Sequence, residues 1–220
     1  MKTTTFILAL IISVITMNAG ELEDKFAQYG LVDITTIDST IVVNLKYATT
    51  DNFMGVNMYG DLNKAYLRPE IADMVVQAQH LIKSINPGYS LVIYDAARPL
   101  SVQKMMYETV QGTEFSQYVA DPYNGGGFHN FGCAVDVTIL LNGEPLDMGT
   151  PFDSFSPISH IDNENENLAN DSLSIEAYNN RQILRMVMTR VGFHPEPCEW
   201  WHFDFYTKDY AHQNLPLLDF

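Results

Sequence analysis

The chain has 220 residues, 46% hydrophobic and 18% charged, which is enough apolar material for one buried core. At 12% aromatic it is too rich in Phe, Tyr and Trp for a disordered chain. Twelve Lys and Arg against 27 Asp and Glu give a formal net charge of −15, so nucleic-acid backbones and anionic membrane surfaces are both repelled.

In chain order, Met1 and Lys2 precede an apolar run over residues 6–15 and a polar stretch over 16–20. That pattern predicts a secretory signal at residues 1–20; the run is too short to span a bilayer. An uncleaved anchor is the alternative. Residues 21–220 then read as a single domain, exported to the periplasm or beyond, with no stable membrane association once the signal is removed. Residues 39–47 alternate Ile41, Val43, Leu45 and Tyr47 as a half-buried strand. Pro69 opens a helix whose Ile71, Met74, Val75, Ala78, Leu81 and Ile82 share one face, and Asn86-Pro87-Gly88 ends it. Residues 90–95 form a short strand, and Ser101 caps a second helix carrying Val102, Met105, Met106 and Val110.

A glycine turn at 124–127 leads to an apolar strand over 133–141. Residues 155–172 are acidic, rich in asparagine and without period, and read as a surface excursion. A long helix over 175–191 stops at Gly192, and a last strand runs from Glu199 to Tyr206. Strands and helices mix without regular alternation, which predicts an α+β domain.

Two segments concentrate chemistry: residues 127–136, with His129 and Asp136, and residues 199–203, with Glu199 and His202. A hydrolytic zinc site takes three ligands from His, Asp or Glu and leaves a fourth position for water. It also takes a carboxylate outside the metal shell to accept the water's proton. His129, Asp136 and His202 suit the first part and Glu199 the second. Spacing alone leaves open the reading of hydrogen-bonded structural residues. A regular strand also opposes Glu199 to His202, three residues on. Arg98, at a strand end beside Pro99, is either a stabiliser of negative charge on a carbonyl oxygen or a surface arginine paired with a carboxylate. His80 and His212 read as surface residues.

With these segments, and with residues 47–53 and 148–153, the chain resembles the D-alanyl-D-alanine dipeptidases, zinc enzymes related to D,D-carboxypeptidases. The likeness runs from about Thr40 to Tyr206, and Glu199-Trp200-Trp201-His202-Phe203 is its most specific part. The resemblance implies a central antiparallel sheet flanked by helices, with a zinc site in a cleft on the sheet. It implies one Zn2+ per chain held by His129, Asp136 and His202, Glu199 as general base and acid, and Arg98 at the tetrahedral intermediate. Tyr47 and Asp153 then receive the free amino group of a small dipeptide, although Asp153 alone reads equally as a turn or capping residue. Related alternatives are a D,D-carboxypeptidase on longer peptidoglycan peptides and a non-catalytic metal-stabilised binding module. Gly127 departs from a serine usual in the family, and Ala96-Ala97 from a bulkier pair. Cys133 and Cys198 flank the ligand segments. If those segments share a metal, the two form a disulfide; paired free thiols and a fourth ligand are the alternatives.

Overall fold

Local rules set most element boundaries in the computed structural model, which describes residues 18–220. The expected signal therefore lies outside the described residues as far as residue 17. Asn18 accepts a hydrogen bond from the Glu21 amide and caps helix α1 (Ala19–Gln28), which sends Leu22 and Phe26 into the core. Three short strands come next, β1 (Val32–Asp33), β2 (Val42–Val43) and β3 (Tyr66–Leu67). Pro69 takes the first position of α2 (Pro69–Ile85), where its missing N–H leaves no bond unmade. Strand β4 (Tyr89–Asp95) leads to α3 (Leu100–Val110), and β5 (Ala134–Leu141) to β6 (Glu144–Pro145). The chain then forms α4 (Glu164–Ala169), α5 (Ile175–Arg190), β7 (His194–Pro195), β8 (His202–Asp204) and α6 (Lys208–Asn214). Among the described residues, no helix is long and apolar enough to cross a membrane.

The fold is α+β, with helices around a central sheet of order β2-β4-β5-β8-β7. The sheet is mixed where an antiparallel one was expected, because β2 runs parallel to β4. The connection between them carries α2, long enough to return the chain in the same direction. One edge of β5 serves two partners: β8 opposite residues 134–136 and β6 opposite residues 140 and 141.

Alternation divides the sheet into two faces. Leu91 and Ile93 of β4, Val135, Val137 and Ile139 of β5, and Phe203 of β8 share one face and are buried. They join a core with Ile71, Val75, Ala78 and Ile82 of α2 and Leu184, Val187 and Met188 of α5. The opposite face carries Asp95, Asp136 and His202. A β-bulge at Tyr94 sets this row: Ile93 pairs with Val137, but Asp95, not Tyr94, pairs with Asp136. Asp136 pairs in turn with His202. Three polar side chains thus stand side by side across three strands.

Several expected elements change. The strand over 39–47 shrinks to β2, because Lys46–Ala48 is a single 3-10 turn whose Tyr47 carbonyl accepts the Met58 and Tyr59 amides at 2.8 and 3.1 Å. Helix α3 begins at Leu100, after Pro99, without a side-chain cap from Ser101. The last strand starts only at His202. Residues 155–172 are no bare excursion either: Ser159, Glu164 and Asn167 are buried, and the Glu164 carboxylate accepts from Gln182 and Arg185 of α5.

Candidate active site

His129 stands in a single 3-10 turn, Phe128–Phe131, just before β5. Gly132 closes that turn at φ +68°, where a Cβ would come within 2.5 Å of Leu31 Cδ2. Asn130 pins the turn, donating to the Arg98 carbonyl at 3.0 Å and accepting from the Gly127 amide at 2.9 Å. Asp136 and His202 come from paired positions on β5 and β8.

The donor atoms converge. His129 Nε2 lies 3.1 Å from His202 Nδ1 and 3.3 Å from Asp136 Oδ1, and His202 Nδ1 lies 2.9 Å from Asp136 Oδ1. The outer nitrogens fix the tautomers. His129 Nδ1 donates to the Ala96 carbonyl at 2.6 Å and His202 Nε2 to Asp204 Oδ1 at 2.8 Å, and neither partner can donate in return. Both inner nitrogens are left with lone pairs facing each other and a carboxylate. Only a cation or an added proton reconciles three converging electron pairs, so the residues fit a metal ion. Burial works to raise the Asp136 carboxyl, but the two imidazoles bring it well below the usual range. Burial works to lower His202, but Asp204 and Asp136 carry it well above an ordinary histidine.

Glu199 resolves the spacing conflict read from the sequence. Its amide donates to the Glu196 carbonyl at 3.2 Å, and the His202 amide to the Glu199 carbonyl at 3.4 Å. Residues 196–202 therefore curl through turns before β8 begins, and Glu199 Oε2 comes within 4.0 Å of His202 Nδ1. Burial pushes the Glu199 carboxyl up to about 8; His202 opposes the rise, and the charges of Asp136 and Asp153 add to it.

Arg98 is buried, not a surface arginine. Its Nε and Nη2 donate to Asp95 Oδ2 at 2.9 and 2.7 Å, and its Nη1 donates to Gln103 Oε1 at 2.8 Å. The guanidinium lies 5.0 Å over the Tyr47 ring and 3.8 Å from Asp136 Oδ2. Asp95, itself fully buried, also accepts from Tyr59 Oη at 2.9 Å.

Tyr47 and Asp153 meet across the fold. Tyr47 Oη donates to Asp153 Oδ1 at 2.9 Å, and the Phe53 amide donates to Oδ2 at 3.2 Å. Asp153 adopts φ +60°, a conformation aspartate tolerates better than most residues. Burial raises its carboxyl to about 7, helped by Asp136 and opposed by the two hydrogen bonds. Among the described residues, no Lys, Arg or His nitrogen lies within ion-pair distance of it. Tyr47, Arg98, His129, Asp136, Asp153, Glu199 and His202 line one cavity of about 250 Å³.

Other expectations change here. Cys133 and Cys198 are free thiols, not a disulfide. Cys133 falls on the β5 face opposite Asp136, and its Sγ donates to the Phe128 carbonyl at 3.4 Å, while Cys198 lines the cavity. Burial pushes the Cys133 thiol up to about 12. His212, expected at the surface, is exposed but also lines the cavity and packs on the Phe131 ring at 5.1 Å.

Sequence reasoning passed over Asp204 and Asp95. Asp204 had a signal, since two residues beyond His202 on a strand is the same face. Asp95 had none, because the bulge that aims it is invisible in the sequence.

The chain is similar to known proteins over most of its length. The family model described as D-ala-D-ala dipeptidase matches residues 27–217. A D-alanyl-D-alanine dipeptidase of Escherichia coli (strain K12) is 35% identical over 79% of this chain and 83% of its own length. Its namesake from Enterococcus faecium is 30% identical over 72% of this chain and 82% of its own. A solved LdcB LD-carboxypeptidase structure aligns with 68% of this chain and 64% of its own at 21% identity and TM-score 0.41, a distance at which it bears on neither mechanism nor specificity.

Proposed function

Since this chain belongs to the D-ala-D-ala dipeptidase family and is a metallopeptidase, we propose that it hydrolyses D-Ala-D-Ala or a similar small dipeptide from cell-wall material. The observation that carries this reading is one cavity holding a three-donor cluster, a buried carboxylate beside it and a carboxylate without a cation. His129 Nε2, Asp136 Oδ1 and His202 Nδ1 hold a single Zn2+, with Ala96 and Asp204 fixing the two rings. When bound, zinc acidifies water and polarises the scissile carbonyl.

The chain's own groups do the rest. Glu199 takes the proton of the attacking water and returns it to the leaving amine, a role its raised pKa suits at neutral pH. Arg98, oriented by Asp95 and Gln103, donates to the developing oxyanion without having to reorganise. Asp153, steadied by Tyr47, pairs with the substrate's ammonium. A blocked amine leaves that buried carboxylate without a partner, which is how a dipeptide is told from an internal peptide bond. With a signal at residues 1–20, the site of action is the periplasm or the exterior, where free wall dipeptides are recycled.

The test is turnover by purified protein with its bound metal counted. One zinc per chain and cleavage of D-Ala-D-Ala, with an amino-blocked tripeptide refused, is the expected result. Cleavage of the blocked tripeptide makes it a D,D-carboxypeptidase instead. Bound metal without cleavage of either makes it a binding module.

A further inference from the structure

Arg181 is a fully buried charge outside the reaction scheme. It sits on α5, its side chain 0% exposed. Its Nε donates to the Met148 carbonyl at 2.7 Å and its Nη1 to the Ile158 carbonyl at 2.9 Å. Those two carbonyls bracket residues 148–158, the loop that carries Asp153. A single rigid fork therefore pins both ends of the loop to one point on a helix.

The same guanidinium also packs on the segment that carries Glu199. It lies 5.9 Å over the ring of Trp200, the neighbour of Glu199. Trp200 Nε1 donates to Thr150 Oγ1 at 2.9 Å, and Thr150 meets Ser159, just past the loop's far end, at 2.9 Å. Glu164 faces Arg181 from α4 at 3.7 Å and offsets its charge. Gly149 lets the start of the loop pack close to α5, since a Cβ there would come within 2.3 Å of Leu173 Cδ1 and 3.2 Å of Ala177 Cβ. Asp153, in the left-handed region and gripped only by Tyr47 and Phe53, depends on the loop for its position. Nothing in the Asp153 contacts themselves fixes the loop's two ends.

We propose that Arg181 is a positioning residue for substrate selection, holding residues 148–158 so that Asp153 meets the free ammonium of a dipeptide. The proposal rests on the dipeptidase reading and names what enforces its amine requirement. Lysine keeps the charge but cannot span both carbonyls.

The experiment compares D-Ala-D-Ala with propionyl-D-Ala, which lacks only the amine, for the zinc-loaded parent, Arg181→Lys and Thr150→Val. In Arg181→Lys, KM for D-Ala-D-Ala rises about tenfold or more while kcat changes less than about threefold, and propionyl-D-Ala kinetics stay put, as follows from losing a hydrogen bond to a charged group. Thr150→Val moves the same ratio in the same direction by less, and decides the matter if Arg181→Lys does not fold. Calorimetric binding to the metal-free proteins follows the same pattern, weakened in Arg181→Lys for D-Ala-D-Ala and unchanged for propionyl-D-Ala. Equal losses on the two compounds, or an unchanged ratio in the folded variants, overturns the proposal. A parent that cleaves both compounds equally well overturns the Asp153 reading beneath it, which is a separate failure.

Discussion

The cavity has two ends built on different principles. At one, His129, Asp136 and His202 are presented by a sheet and the turn that feeds it, and the register that pairs β5 with β8 also sets their spacing. At the other, Asp153 rides on a loop, held by side chains from distant parts of the chain: Tyr47, Arg181 and Trp200. The sheet end takes its precision from backbone hydrogen bonds that no single substitution removes. The loop end takes it from a few side chains, each removable. Chemistry placed on the ladder should tolerate change around it, and recognition placed on the loop should be easy to retune.

The largest effect expected from breaking this contrast is at the sheet end. Glu199→Ala should cut kcat by about a thousandfold with zinc stoichiometry unchanged, measured by initial rates and metal analysis together. Full activity in that variant removes Glu199 from the scheme. Asp204→Asn, which alters only the outer partner of His202, should weaken zinc about 10- to 100-fold by competition with a chelating indicator.

At the loop end, Asp153→Asn should raise KM for D-Ala-D-Ala roughly 10-fold while sparing propionyl-D-Ala. A matching loss on both compounds would place Asp153 in folding instead. The same variant sharpens the contrast through pH. In the fold the Asp153 carboxyl titrates near 7, against an ordinary 3.8, so the folded chain holds that proton more tightly than the unfolded chain. Its contribution to stability is full below about pH 4 and is lost as pH rises through about 7. Metal-free Asp153→Asn should therefore gain in Tm on the parent steadily between pH 4 and pH 7. A difference that stays flat with pH contradicts the raised carboxyl. The smallest effect concerns the thiols: a non-chelating reductant should leave Tm and kcat unchanged, since Cys133 and Cys198 are not joined.

The two ends also differed in what the sequence disclosed. The three donors were legible because each sits in a short segment of fixed spacing, and the helices α2 and α5 because their apolar positions recur every three or four residues. The approach of Glu199 to His202 was legible only as a conflict, settled by the turns over residues 196–202. The disulfide expectation failed because Cys133 is buried in the core behind the sheet while Cys198, on the turns before β8, lines the cavity. Asp95 was hidden by a one-residue bulge, and Arg181 by distance: its partners lie 33 and 23 residues away, and no local pattern links them.

Strand β5 shares one edge between β8 and β6, and the loop bearing Asp153 follows β6 without contributing to the β5–β8 ladder. Cutting and rejoining the chain at residues 147 and 159 therefore spares every pairing that seats the donor cluster. Chimeras that borrow this stretch from relatives with other preferences should inherit a new appetite for substrates while keeping the same hydrolytic engine.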